Sequence, residues 1–134
     1  MATLKISDLS VGDWVGWKVD DKTYDMQVSG VTDRRIYGLH EGIVYSMLLT
    51  QICPIPITAE ILEKNGFEST TKPNVFTLTH GKLQLYVSKE LDGWHISFVN
   101  FMERLCILQV IRKSYIHELQ HALRLAGVDK EINL

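Results

Sequence analysis

Asn74-Val75-Phe76-Thr77-Leu78-Thr79-His80-Gly81-Lys82-Leu83-Gln84-Leu85-Tyr86-Val87-Ser88 decides the fold class. Residues 74–79 and 82–88 have the composition and period-2 patterning of strands, and His80-Gly81 between them is a tight turn. Leu83, Leu85 and Val87 fall on one face of the second strand. Leu91-Asp92-Gly93 turns the chain again, Asp-Gly being a strong hairpin signal, and Trp94, Ile96 and Phe98 then share a face. This is the pattern of an antiparallel meander. Leu105 to Ile111 follows, apolar on both faces, which predicts a central strand covered on both sides. Arg112-Lys113 closes it, and an amphipathic helix runs from Ser114 to Gly127.

Upstream, Pro54 and Pro56 force Ile52-Cys53-Pro54-Ile55-Pro56-Ile57 into an extended path. A short helix begins there, with Thr58 as N-cap, Ile61 and Leu62 as its apolar face and Asn65-Gly66 as its stop. Phe67 is placed to fold back on it. The N-terminal third alternates short strands with polar turns. Trp14 to Val19 sets Val15, Trp17 and Val19 on one face, and Thr23 to Val31 does the same with Tyr24, Met26 and Val28. Ile36–Leu39 and Gly42–Met47 are two further short strands. Such an array suggests a curled antiparallel sheet or small barrel. The entry Leu9-x-Val11-Gly12-Asp13-Trp14-Val15 resembles that of SH3-like barrels.

The expected fold is therefore α+β: a small antiparallel, SH3-like barrel-type sheet, a short helix, then an antiparallel meander with a packed C-terminal helix. The 134 residues are one domain's worth. The proline segment is the only seam, separating subdomains 1–53 and 54–134. With 46% hydrophobic and 22% charged residues, the composition is that of an ordinary globular protein. A net charge of −2 gives no general drive toward nucleic acid or acidic lipid. No apolar run approaches the roughly 20 residues that span a bilayer, and the N-terminus lacks the features of a signal peptide. Cys53 and Cys106 lack the number and spacing of a disulfide scaffold or metal knuckle, so two buried free thiols in a cytoplasmic protein are expected.

Two blocks resemble a group of small uncharacterised bacterial and prophage-type proteins. One is Ile55-Pro56-Ile57-Thr58-Ala59-Glu60-Ile61-Leu62-Glu63-Lys64-Asn65-Gly66-Phe67, the other Tyr115-Ile116-His117-Glu118-Leu119-Gln120. The resemblance covers about half of the chain and carries no catalytic residue with it. Related helices continue Leu-Gln-Asn where this one has Leu119-Gln120-His121, which makes the second histidine a variable feature.

That histidine completes a chemical pattern. His117-Glu118-Leu119-Gln120-His121 is His-Glu-x-x-His, the helical zinc-ligand signature of many metallopeptidases. Residues four apart on a helix lie one above the other, so two imidazoles reach one ion while the glutamate polarises its bound water. Two features oppose this reading. At roughly 100° per residue, Ile116, Leu119, Ala122, Leu123 and Ala126 form an apolar stripe. His117 and His121 point nearly opposite it, beside Gln120 and Arg124, as on a solvated face. A third ligand is also missing nearby: only Asp129 and Glu131 follow, and His40, His80 and His95 lie far upstream in the chain.

No phosphate loop, nucleophile elbow or Cys/His dyad can be assembled from the remainder. Asp20, Asp21 and Asp25 make an acidic hairpin end read as a solvated turn. Arg34-Arg35 and Arg112-Lys113 are charge pairs at strand ends, and core packing is expected of at least two among Trp14, Trp17 and Trp94. The functional expectation is a non-enzymatic cytoplasmic accessory or protein-interaction module with an unidentified protein partner, no cofactor and no catalytic residue. The alternative is a small zinc-dependent hydrolase, with His117 and His121 as ligands and Glu118 as general base. A nucleic-acid-associated phage-type role is a weaker alternative, disfavoured by the near-neutral charge. The sequence carries no signal for oligomeric state.

Overall fold

Antiparallel pairing runs through both sheets of the chain, and two α-helices complete an α+β architecture. A computed structural model describes residues 4–100 and 106–134, with the backbone alone described at Asn100 and at residues 106–113. Two compact units, Met1–Ile55 and Pro56–Leu134, divide within the proline segment.

In the first unit, strands β1 (Trp14–Val19), β2 (Lys22–Val31), β3 (Ile36–His40), β4 (Ile43–Met47) and β5 (Ile52–Cys53) form a sheet in the order β4-β3-β2-β1-β5. The sheet is open: β4 and β5 lie at its two ends, so the full barrel closure suggested by the sequence is not seen. Alternation places the core as expected. Val15, Met26, Val28, Ile36, Met47 and Ile52 are buried with Leu9, and Trp17, Tyr24 and Tyr45 pack against them. Gly38 lets that layer pack closely: a Cβ there would lie 3.2 Å from Met26 Cβ and would displace the end of the Met47 side chain. Between Val28 and Gly30 the β2–β3 register shifts, a bulge that bends the strand. Asp13 is buried, and its carboxylate accepts from the Ser10 amide at 2.8 Å, which fixes the turn into β1.

The second unit opens with helix α1 (Ala59–Lys64). The Thr58 hydroxyl accepts from the Ile61 amide at 3.2 Å, so the expected N-cap is in place. The stop is a Schellman motif: Phe67 N–H donates to Leu62 C=O and Gly66 N–H to Glu63 C=O, with Phe67 and Leu62 both buried. Strands β6 (Glu68–Ser69), β7 (Val75–His80), β8 (Leu83–Glu90), β9 (Gly93–Asn100) and β10 (Cys106–Lys113) follow in the order β10-β9-β8-β7-β6. Phe76, Leu85, Val87, Trp94, Ile96 and Phe98 are buried along one face, with the Phe76 and Trp94 rings 6.1 Å apart. The C-terminal apolar strand departs from expectation. Among the described residues β10 pairs only with β9 and stands at the end of the sheet, not at its centre. Hydropathy reports that a strand is covered, and cover by other layers is compatible with an edge position. How the side chains of 105–111 are covered lies outside the described residues.

Helix α2 spans Ile116–Leu125, two residues shorter at each end than the sequence suggested. The bridge between Pro56 and Tyr115, with Ile57 N–H donating to Ser114 C=O at 2.9 Å, ties its entry to the start of the unit. Its exit repeats the Schellman geometry, Val128 N–H donating to Leu123 C=O at 2.8 Å with both side chains buried. The tail beyond is anchored by buried Ile132 and by Asn65. The Asn65 amide donates to Ile61 C=O and Asn133 C=O and accepts from Asn133 N–H, each at 2.7 Å.

Candidate functional site

The spacing of α2 does bring the two imidazoles together. The rings of His117 and His121 are 5.8 Å apart and meet edge to face at 82°. Tyr115, extended at the N-cap, lays its ring parallel to that of His117, 6.1 Å away at 10°. Glu118 turns toward the start of the helix, where its Oε1 lies 3.4 Å from the Ser114 amide. A carboxylate in that position complements the positive end of the helix dipole.

The histidine face is not the solvated one the sequence suggested. His117 is 3% exposed and Gln120 is buried, whereas His121 is half-buried and Arg124 exposed. The buried arc of α2 is wider than its apolar stripe: it takes in Ile116, His117, Leu119, Gln120, Ala122 and Leu123. A polarity pattern assigns His and Gln to water, but Tyr115 gives the His117 ring an aromatic neighbour that makes it a packing residue.

A catalytic zinc requires three protein ligands and an open position for water. Among the described residues no group of three or more His, Cys, Asp and Glu side chains converges as a metal site. His80 is exposed at the end of β7, and His95 Nε2 lies 2.9 Å from Asp92 Oδ1 at the β8–β9 turn. Asp129 and Glu131 are exposed in the tail. In the first unit, His40 Nδ1 lies 3.0 Å from Asp25 C=O, and its ring contacts Tyr24 edge-on at 5.6 Å. With Glu118 cast as general base, His117 and His121 alone fall one ligand short among the described residues.

The other expected features have local structural roles. Asp20, Asp21 and Asp25 are exposed. Arg35 Nη1 donates to Ser46 Oγ at 3.3 Å across the β3–β4 hairpin. Trp17 Nε1 donates to Gln51 Oε1 at 3.2 Å, Trp94 is buried and Trp14 is half-buried. Cys53 is a free, half-buried thiol, more accessible than expected. The side chains of Cys106, Arg112 and Lys113 lie outside those described.

One surface escaped the reading of the sequence. Of the large apolar side chains exposed among the described residues, Tyr37, Leu39, Ile43, Val44 and Leu48 all belong to the β3–β4 hairpin or its end, while Val11, Leu91 and Leu125 lie elsewhere in the chain. Ile43 is 56% and Val44 58% exposed. Register explains part of the grouping: Leu39 pairs with Val44 and Tyr37 with Ser46 on one outer face of the hairpin, whereas Ile43 pairs with His40 on the opposite face, exposed at the turn end. The signal was present: residues 43–49, Ile-Val-Tyr-Ser-Met-Leu-Leu, contain no charge and do not alternate. Natural edge strands usually carry a charge, a proline or a bulge that blocks further pairing, and β4 has none of these.

No family model, curated protein or solved structure matches this chain. Among the described residues, no helix is long and apolar enough to cross a membrane.

Proposed function

We propose that the chain is a non-enzymatic protein-interaction module whose working surface is the β3–β4 edge of the first unit. The supporting observation is the concentration of exposed apolar side chains on that hairpin, beside an edge strand without protective charge. On this reading α2 is architecture. Its histidines pack against Tyr115 and each other, and Glu118 serves the helix start. The barrel-type reading of the first unit is kept in half-open form. It rests on the β4-β3-β2-β1-β5 order and the 3-10 turn Leu49–Gln51 before the last short strand. A cytoplasmic setting and kinship with small prophage-type proteins belong to the same proposal, the second resting on the two sequence blocks above.

Photo-crosslinking tests the surface. A benzophenone side chain at position 44, in protein expressed in its own host, should capture specific adducts. The same probe at position 91, a still more exposed apolar site on the β8–β9 turn, should not. Equal labelling at both positions, or none at 44, would overturn the proposal.

A further inference from the structure

We infer that the β4 edge pairs with β4 of a second copy of the chain, antiparallel about a twofold axis at Tyr45, joining two five-stranded sheets into one. This rests on the reading of that edge as the working surface, and names its partner.

The hairpin fixes which backbone groups the edge offers. His40 and Ile43 flank a two-residue turn in which Glu41 and Gly42 have φ of 50° and 79°, the left-handed pair of a type I′ turn. In such a hairpin the flanking pair exchanges both hydrogen bonds, and bonded and non-bonded pairs then alternate. His40–Ile43, Gly38–Tyr45 and Ile36–Met47 are thus the bonded pairs. Val44 and Ser46 belong to the non-bonded pairs, so their N–H and C=O groups point away from β3, toward the open edge. Among the described residues no other strand pairs with that edge.

These groups match a second copy of themselves. With Tyr45 opposite its own counterpart, Val44 of each copy faces Ser46 of the other. Both then exchange N–H···O=C bonds, which uses all the outward groups of the two residues. The register sets the exposed Leu39, Val44 and Tyr37 of both copies along one continuous outer face. Charge agrees with it: the strand carries none, so nothing in β4 repels its copy. Its ends are opposite in net sign, exposed Glu41 at the turn and, at the open end, exposed Arg34 and Arg35 outweighing exposed Asp33. A twofold axis brings the turn end of each hairpin beside the basic end of the other, whereas a parallel arrangement would align like charges.

The test is sedimentation equilibrium of the full chain from low micromolar to near-millimolar concentration, combined with amide exchange. The expected result is a monomer–dimer equilibrium in which the Val44 and Ser46 amides become protected as concentration rises. The Tyr45 amide, bonded to β3, should be protected at every concentration. Ser46→Pro removes one outward N–H per copy while sparing the β3–β4 ladder, and should weaken the dimer roughly tenfold or more. Val44→Lys should weaken it through like-charge contact across the seam, which covers the case in which the proline variant folds poorly. Conversely, Tyr45→Cys should form a disulfide-linked dimer under mild oxidation, because its pair across the axis is the close, non-bonded kind. A wild type that stays monomeric throughout, or exchange at Val44 and Ser46 independent of concentration, would overturn the inference. Benzophenone adducts to other proteins at position 44 alongside a strict monomer would leave the interaction surface standing and remove only the self-partner.

Discussion

Replacing His117 by alanine separates an architectural helix from a metal centre. The imidazole is 3% exposed, so its removal leaves a cavity in addition to the lost ring contacts. The stack on Tyr115 and the edge contact with His121 together are worth about 1 kcal/mol, and lost burial with the residual cavity adds about 1–2 kcal/mol. The total, about 2–3 kcal/mol, corresponds to a Tm lower by about 8–12 °C for a domain of this size. His121 is half-buried and leaves a smaller cavity, so His121→Ala should cost clearly less than His117→Ala. Thermal and urea unfolding of both variants, each with and without chelator, measures this. An architectural helix gives unequal losses that chelator leaves unchanged. Equal losses for the two variants, together with a wild-type Tm that falls in chelator, would refute the reasoning, because two ligands of one ion act as a unit.

The second unit offers further checks. Gly93 has φ +127°, and a Cβ there would collide with the Ser114 hydroxyl, so Gly93→Ala should destabilise by about 2–4 kcal/mol in urea unfolding. Adding Ser114→Ala should recover the steric part of that loss and leave the backbone part, which a double-mutant cycle reads directly. Asn65→Ala removes three hydrogen bonds that hold the tail and should cost about 1–3 kcal/mol, with faster proteolytic cleavage after residue 127. Asn65→Asp should be at least as harmful, since it points a carboxylate at two carbonyl oxygens; a neutral effect would show that the tail is not held this way.

Much of the fold was legible because its signals are local. Period-2 alternation located Val15, Met26 and Val28 in one core and Leu85, Val87, Ile96 and Phe98 in the other. Thr58 and Gly66 marked the ends of α1 because capping is decided within a few residues. What could not be read depends on neighbours distant in sequence. The apolar run at 105–111 looked central, yet its place in the sheet is set by pairing order, which hydropathy does not encode. His117 looked solvated because it lies nearly opposite the apolar stripe of its helix, whereas its burial is decided by packing. The β3–β4 edge was missed for the opposite reason. Its apolar residues read as strand formers, although the lack of alternation in Ile43-Val44-Tyr45 already means that some of them must face outward.

That α2 is architecture and the working surface lies elsewhere is tested most directly by metal stoichiometry. Untagged protein is reconstituted with zinc, passed through a desalting column and assayed for bound metal beside His117→Ala and His121→Ala. The expected result is zinc well below one equivalent, the same in all three proteins. One zinc per chain in the wild type, lost in both variants, would contradict it and move the function of this protein to its C-terminal helix.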